Sequence, residues 1–120
     1  MAYSITEQMV AWLSSLGHRA MTHPCIEAPD CPQEFVTVER TGGYAADLVD
    51  HPTMAVQAWA QTEPRAEEIA NEVRMACLTG DLPYGVHRIA VNSGPYAFWD
   101  EDTRCPRYQL VLDITSQLTD

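Results

Sequence analysis

Basic residues are scarce in this chain: 7 lysines and arginines stand against 17 aspartates and glutamates in 120 residues, a formal net charge of -10. Nucleic-acid binding needs clustered cations to neutralise phosphates, so the shortage disfavours direct contact with DNA or RNA. An acidic surface still suits a channel wall along which DNA slides without adhering. Simple solubility is the plainer account of the charge. Any apolar run near the roughly 20 residues that span a bilayer is also missing, which disfavours a membrane partner. The opening residues, Met1-Ala2-Tyr3-Ser4-Ile5-Thr6-Glu7, lack the basic and apolar regions of a signal peptide. The expectation is a chain made in the cytoplasm, with its four cysteines as reduced thiols.

The patterns that carry chemistry are incomplete as well. Cys25 and Cys31 have five residues between them, with His23 two positions before Cys25, whereas zinc sites use closer cysteine pairs and a second pair at similar spacing. Cys77 falls on the apolar face of a helical pattern and Cys105 in a loop, so all four read as small unpaired hydrophobes. His18, His23, His51 and His87 are scattered, and none shows a recognisable pairing with a serine or cysteine nucleophile. Asp100-Glu101-Asp102 lacks the spaced ligands, glycine and terminal glutamate of a calcium loop and reads as a solvated loop. Gly42-Gly43 lacks the lysine and following helix of a phosphate-binding loop and reads as a turn with positive φ. No catalytic residue, cofactor or metal is expected, and the chain does not read as an enzyme.

What is present is a regular succession of elements in one domain, large enough to bury about two thirds of its unfolded surface. Ser4-Ile5-Thr6-Glu7 is a capping box, and Ile5, Met9, Trp12, Leu13 and Leu16 form a helical stripe that Gly17 can close. From His18 to Glu34 the prolines Pro24, Pro29 and Pro32 predict loop, with a possible short edge strand around Ala20 to Thr22. Glu34 to Arg40 reads as a strand, Thr41 to Thr53 as a long connection, and Met54 to Gln61 as a second strand, together a hairpin with a mobile tip. Thr62 caps a second helix with Pro64 in its first turn and Ala66, Ile69, Ala70, Val73 and Cys77 on one face; Gly80 ends it. Val86 to Asn92 and Arg107 to Thr115 are the last strands, and in the latter Tyr108, Leu110, Leu112 and Ile114 alternate with polar residues. The order α-β-β-α-β-β predicts an α+β sandwich: one mostly antiparallel four-stranded sheet with both helices on one face.

Three pieces carry a further likeness: Phe35 to Gly43, a strand ending in Gly-Gly; the strand ending near Trp59-Ala60 with the helix after it; and the final strand opened by Pro106-Arg107-Tyr108. In this order and spacing, from Phe35 to Thr115, the chain resembles the small tail terminator (tail completion) proteins of long-tailed bacteriophages and prophages. The resemblance implies the same α+β architecture and a non-enzymatic structural protein at the head-proximal end of a virion tail, assembled in the host cytoplasm. It implies a closed ring, hexameric in that family, that caps the major tail tube protein, ends its polymerisation and joins the head-tail connector protein. DNA would be cargo through the channel. Departures lie in the Thr22 to Pro32 segment and the Trp99 to Cys105 loop.

Tyr96, Phe98 and Trp99, with Arg104 and Arg107 nearby, either fold back on the core or anchor a subunit contact, since buried aromatics and arginines dominate interface energetics. With Tyr44 they are the candidate subunit or tube interface. Glu67, Glu68 and Glu72, or Asp100, Glu101 and Asp102, are the candidate channel-facing acids. Two other readings stand beside this one: a head-side adaptor of the same junction, and a small ligand-binding or enzymatic α+β domain with a pocket between helix and sheet.

Overall fold

Ser4 accepts a hydrogen bond from the Glu7 amide and opens helix α1, Ile5–Ser15, in the computed structural model, which describes residues 2–98 and 105–119. The helix ends in a Schellman motif: Gly17 is at φ 97°, its amide bonds the Ser14 carbonyl, and the His18 amide reaches back to Leu13. Ile5, Met9, Trp12 and Leu13 are buried and Leu16 is not. Helix α2, Glu63–Thr79, starts at Thr62, whose hydroxyl accepts from the Arg65 amide, and buries Ala66, Ile69, Ala70, Val73 and Cys77 as the stripe predicts.

Five strands form one mixed sheet among the described residues: β1, Ala20–Met21; β2, Phe35–Ala46; β3, Val49–Trp59; β4, Val86–Ala97; and β5, Arg107–Gln117. Their order is β1-β2-β3-β5-β4, antiparallel except for β1, which lies parallel to β2. The class is α+β, but the expected count of four strands is corrected to five. The Schellman cap turns the chain from α1 directly onto β2, where the Val36 amide bonds Arg19 and a two-residue parallel ladder forms.

Both helices pack on the same sheet face. Their buried stripes share one cluster with alternate strand residues: Val36 and Val38 of β2, Met54, Val56 and Ala58 of β3, and Leu110, Leu112 and Ile114 of β5. The period of two read in β5 is therefore the core-facing alternation.

Between β1 and β2 the proline-rich segment folds on itself. The Ala28 amide bonds Cys25 and the Cys31 amide bonds Ala28, two successive turns that bring the cysteine Cα atoms to 5.4 Å in a disulfide. The expectation of four free thiols is thus corrected for Cys25 and Cys31; Cys77 and Cys105 are not joined in a disulfide.

The long tip expected from Thr41 to Thr53 is also corrected. β2 and β3 stay paired to Ala46↔Val49, and the chain reverses in two residues, Asp47 and Leu48, at φ 53° and 65°. A two-residue turn with positive φ at both positions matches the twist of a hairpin. Gly42-Gly43 is no turn. The register shifts between Arg40 and Gly42, so Thr41 is the extra residue of a β-bulge. Gly43, at φ 119°, lies so close to β3 that a Cβ there would stand 2.3 Å from the His51 carbonyl oxygen.

β4 likewise outruns the strand predicted to end at Asn92. Register shifts after Val91 and Ser93 carry it to Ala97 on the sheet's outer edge, where Pro95 forfeits no central ladder bond.

Two substitutions separate a folded hairpin from a loop. Gly43→Ala should lower the unfolding free energy by about 2 kcal/mol or more, since backbone must shift to admit the methyl. Leu48→Gly should raise it by about 0.5–1 kcal/mol, because left-handed strain at an exposed leucine outweighs the added chain entropy of glycine. Urea unfolding checks both; a mobile tip would leave both changes near zero.

Candidate functional site

Strand residues that point away from the helices form two adjoining rows. In the first, Phe35, Trp59 and Arg107 lie side by side on β2, β3 and β5. Phe35 and Trp59 stack with ring centroids 5.5 Å apart, and the Arg107 guanidinium carbon stands 4.8 Å from the Trp59 ring and 4.2 Å from the Phe98 ring. Arg107 Nε donates to the Phe98 carbonyl at 2.8 Å, which fixes the guanidinium between the two rings. Such cation–π contacts are worth about 0.5–2 kcal/mol each, most when water is excluded.

The second row crosses four strands. Trp59 Nε1 donates to Thr37 Oγ1 at 3.1 Å, and the Thr37 hydroxyl donates to Gln57 Oε1 at 3.4 Å. Gln57 Nε2 donates to Gln109 Oε1 at 2.7 Å, and Gln109 Nε2 donates to the Tyr96 hydroxyl oxygen. Every donor points the same way along this chain, so each bond polarises the next, and the Tyr96 hydroxyl keeps its own proton to donate outward. Tyr96 and Phe98 are 37% and 38% exposed and meet edge to face at 6.5 Å.

The structure brings together Tyr96, Phe98 and Arg107 of the candidate interface residues. Tyr44 stands apart, stacked on His51 at 4.7 Å and 65% exposed. His51 is on β3 six residues before Gln57, or about 20 Å along the strand. Trp99, Arg104, Asp100, Glu101 and Asp102 lie outside the described residues. Phe35, Trp59, Thr37, Gln57 and Gln109 were missed by sequence reasoning. Pairing β2, β3 and β5 in register would have put Phe35, Trp59 and Arg107 in one row.

The acids of α2 are not a bare surface. Arg65 grips both Glu34 carboxylate oxygens, at 2.7 and 3.1 Å, and also pairs with Glu68, with Glu72 at 3.9 Å. Glu72 in turn lies 3.8 Å from His18 Nε2. The hydrogen bonds from Arg65 hold the Glu34 carboxyl below its ordinary range, against a small opposing desolvation. Glu67 is exposed, and with Glu63 it adds to the partial burial that pushes the Tyr108 phenol up.

A cavity of about 480 Å³ lies beside Phe35, walled by Cys31, Pro32, Ala60, Cys105 and Pro106 among others, and no charged side chain lines it among the described residues. No group of three or more potential metal ligands gathers among the described residues either. No protein-family model matches the chain, and no curated protein is significantly similar to it.

Thr37 is the joint of the polar row. Thr37→Val, close in shape, leaves the buried Trp59 N–H and Gln57 Oε1 without their partner and should cost about 1–3 kcal/mol in urea unfolding, with altered tryptophan fluorescence. An unchanged midpoint would mean the row adds nothing. Glu34→Gln tests the Arg65 grip through pH. A carboxyl held low in the folded state stabilises fully above its ordinary pKa of 4.5 and loses that contribution as pH falls below it. The parent should be more stable than the variant at neutral pH, and the gap should close toward pH values of about 3. A pH-independent gap would show that charge is not involved.

Proposed function

We propose that this chain is the subunit of a closed ring that caps a phage or prophage tail tube, ends its polymerisation and offers the surface joined by the head connector. The observation that carries this reading is the half-exposed row of Tyr96, Phe98 and Arg107 on the sheet face that neither helix covers. Rigid aromatics and an arginine pre-set by stacking lose little entropy on burial, as interface anchors require. The Tyr96 hydroxyl adds a directed donor. The α+β architecture, with strand, strand, helix and final Pro106-Arg107-Tyr108 strand in the order of the tail terminators, supports the same reading.

One subunit of this size encloses no channel, so the function requires head-to-tail contacts that close. The hexamer is the family's ring. Of the α2 acids suggested as channel-facing, Glu68 and Glu72 are engaged with Arg65, and Glu67 is the α2 carboxylate left outside that pairing to face passing DNA. A head-side adaptor would use the same kind of surface against a different ring. The ligand-binding alternative has the cavity beside Phe35, whose walls mix apolar side chains with Gln33 and Gln61 and carry no charged side chain among the described residues.

Analytical ultracentrifugation over a range of concentrations, with and without tail tube protein, tests the ring. The parent should sediment as a closed oligomer at least when tube protein is present. Tyr96→Ala combined with Phe98→Ala should remain monomeric while keeping the parental circular dichroism. A parent that stays monomeric with tube protein at high concentration, or a double variant that assembles like it, contradicts the proposal.

A further inference from the structure

Toward the β2–β3 turn, the sheet face that the helices leave open carries a trough of about 340 Å³, within the size range of small-molecule sites. Strand register sets its walls. Arg88 of β4 stands opposite Thr115 of β5, and Asp113, two residues back on β5, stands opposite Ala90 of β4. Arg88 and Asp113 are therefore diagonal neighbours on one face, with Cα atoms about 7–8 Å apart. On the far wall His51 of β3 lines the trough, and Tyr44 of β2 stacks on it with ring centroids 4.7 Å apart. Two opposite charges thus share the trough without meeting. Thr53 donates to one Asp113 oxygen at 3.4 Å and Asn92 to the other at 2.8 Å, so uncharged donors hold the carboxylate in place. Of the chain's 7 basic residues, Arg40 and Arg65 are engaged in ion pairs, whereas Arg88 has no hydrogen bond or ion pair among the described residues.

We infer that this trough binds the guanine base of a free nucleoside. A carboxylate takes a pair of donors, and guanine presents two side by side, N1–H and the N2 amino group. Each Asp113 oxygen keeps a second lone pair for them. The neighbouring edge of the base, O6 and N7, accepts the bidentate bond that a guanidinium such as Arg88 gives. A ring held at both edges lies against His51, which Tyr44 backs, and stacking on aromatic rings strengthens binding of any base. Adenine reverses both edges: its N6 amino group meets Arg88 and its bare N1 meets Asp113. The net charge of -10 opposes phosphate-bearing ligands, so the uncharged nucleoside fits better than a nucleotide or a strand. All of these contacts lie within one chain, and the site is independent of the ring.

Isothermal titration calorimetry of the parent protein with guanosine, adenosine and inorganic phosphate tests the site. Guanosine should bind with a Kd on the order of 0.1 mM, as a ligand of its size in an open trough allows. Adenosine should bind roughly tenfold more weakly or worse. Asp113→Asn and Arg88→Gln, both at exposed positions, should each weaken guanosine about tenfold and erase its advantage over adenosine while keeping the parental circular dichroism. No guanosine heat at concentrations well above that Kd overturns the inference, as does adenosine binding equal to guanosine. A folded variant of either kind that binds guanosine like the parent overturns it too. Phosphate binding that Arg88→Gln abolishes, without guanosine binding, marks a plain anion site and equally overturns it.

Discussion

From Met54 to Trp59, strand β3 buries every residue except the half-buried Gln57, so water must be kept from both faces of the sheet at its centre. Helices supply the cover on one side, where Met54, Val56 and Ala58 meet the stripes of α1 and α2. On the other side the described residues add no third layer, and side chains of the sheet itself give the cover. Phe35 stacks on Trp59, Arg107 lies across Trp59, and the Thr37–Gln57–Gln109–Tyr96 row satisfies the polar atoms between them. A buried tryptophan hides roughly 150–250 Å² of surface, so this second cover matters as much as any helix contact. It is thin, however, and its outer edge at Tyr96 and Phe98 stays half in solvent.

That asymmetry links fold to proposed function. A sheet with helices on one side and a one-residue-thick cover on the other presents a partly apolar face whose polar row is paired within itself except for the outward proton of the Tyr96 hydroxyl. Such a face can meet another subunit with little desolvation cost. The acids take the other role. Those on α2 are partly consumed in holding the segment at Glu34 to the helix through Arg65, and in the proposed ring the excess negative charge that remains would keep passing DNA from adhering.

Much of this was legible in the sequence because it is local. The Ser4 and Thr62 caps, the closing Gly17 and Gly80, the two helical stripes and the alternation in β5 each follow from residues a few positions apart. The failures were of two kinds. Gly42-Gly43 carries the usual signal of a turn, but the glycines serve a bulge and a close approach to His51, while the true turn falls on Asp47-Leu48, and leucine gives no hint of a positive φ. The second kind was long-range. The disulfide needed two turns that the spacing of Cys25 and Cys31 does not announce, and the row of Phe35, Trp59 and Arg107 exists only once three strands are in register. Of the proposed interface, Tyr96, Phe98 and Arg107 could be singled out as an aromatic and basic cluster, yet their buried supports could not.

Electron microscopy of tail tubes polymerised with and without this protein reaches the central claim most directly. The account predicts that tubes grown in its presence are shortened and carry a ring of density with six-fold symmetry at one end. Tubes of unchanged length with both ends bare, at protein concentrations well above that of the tube ends, would contradict it.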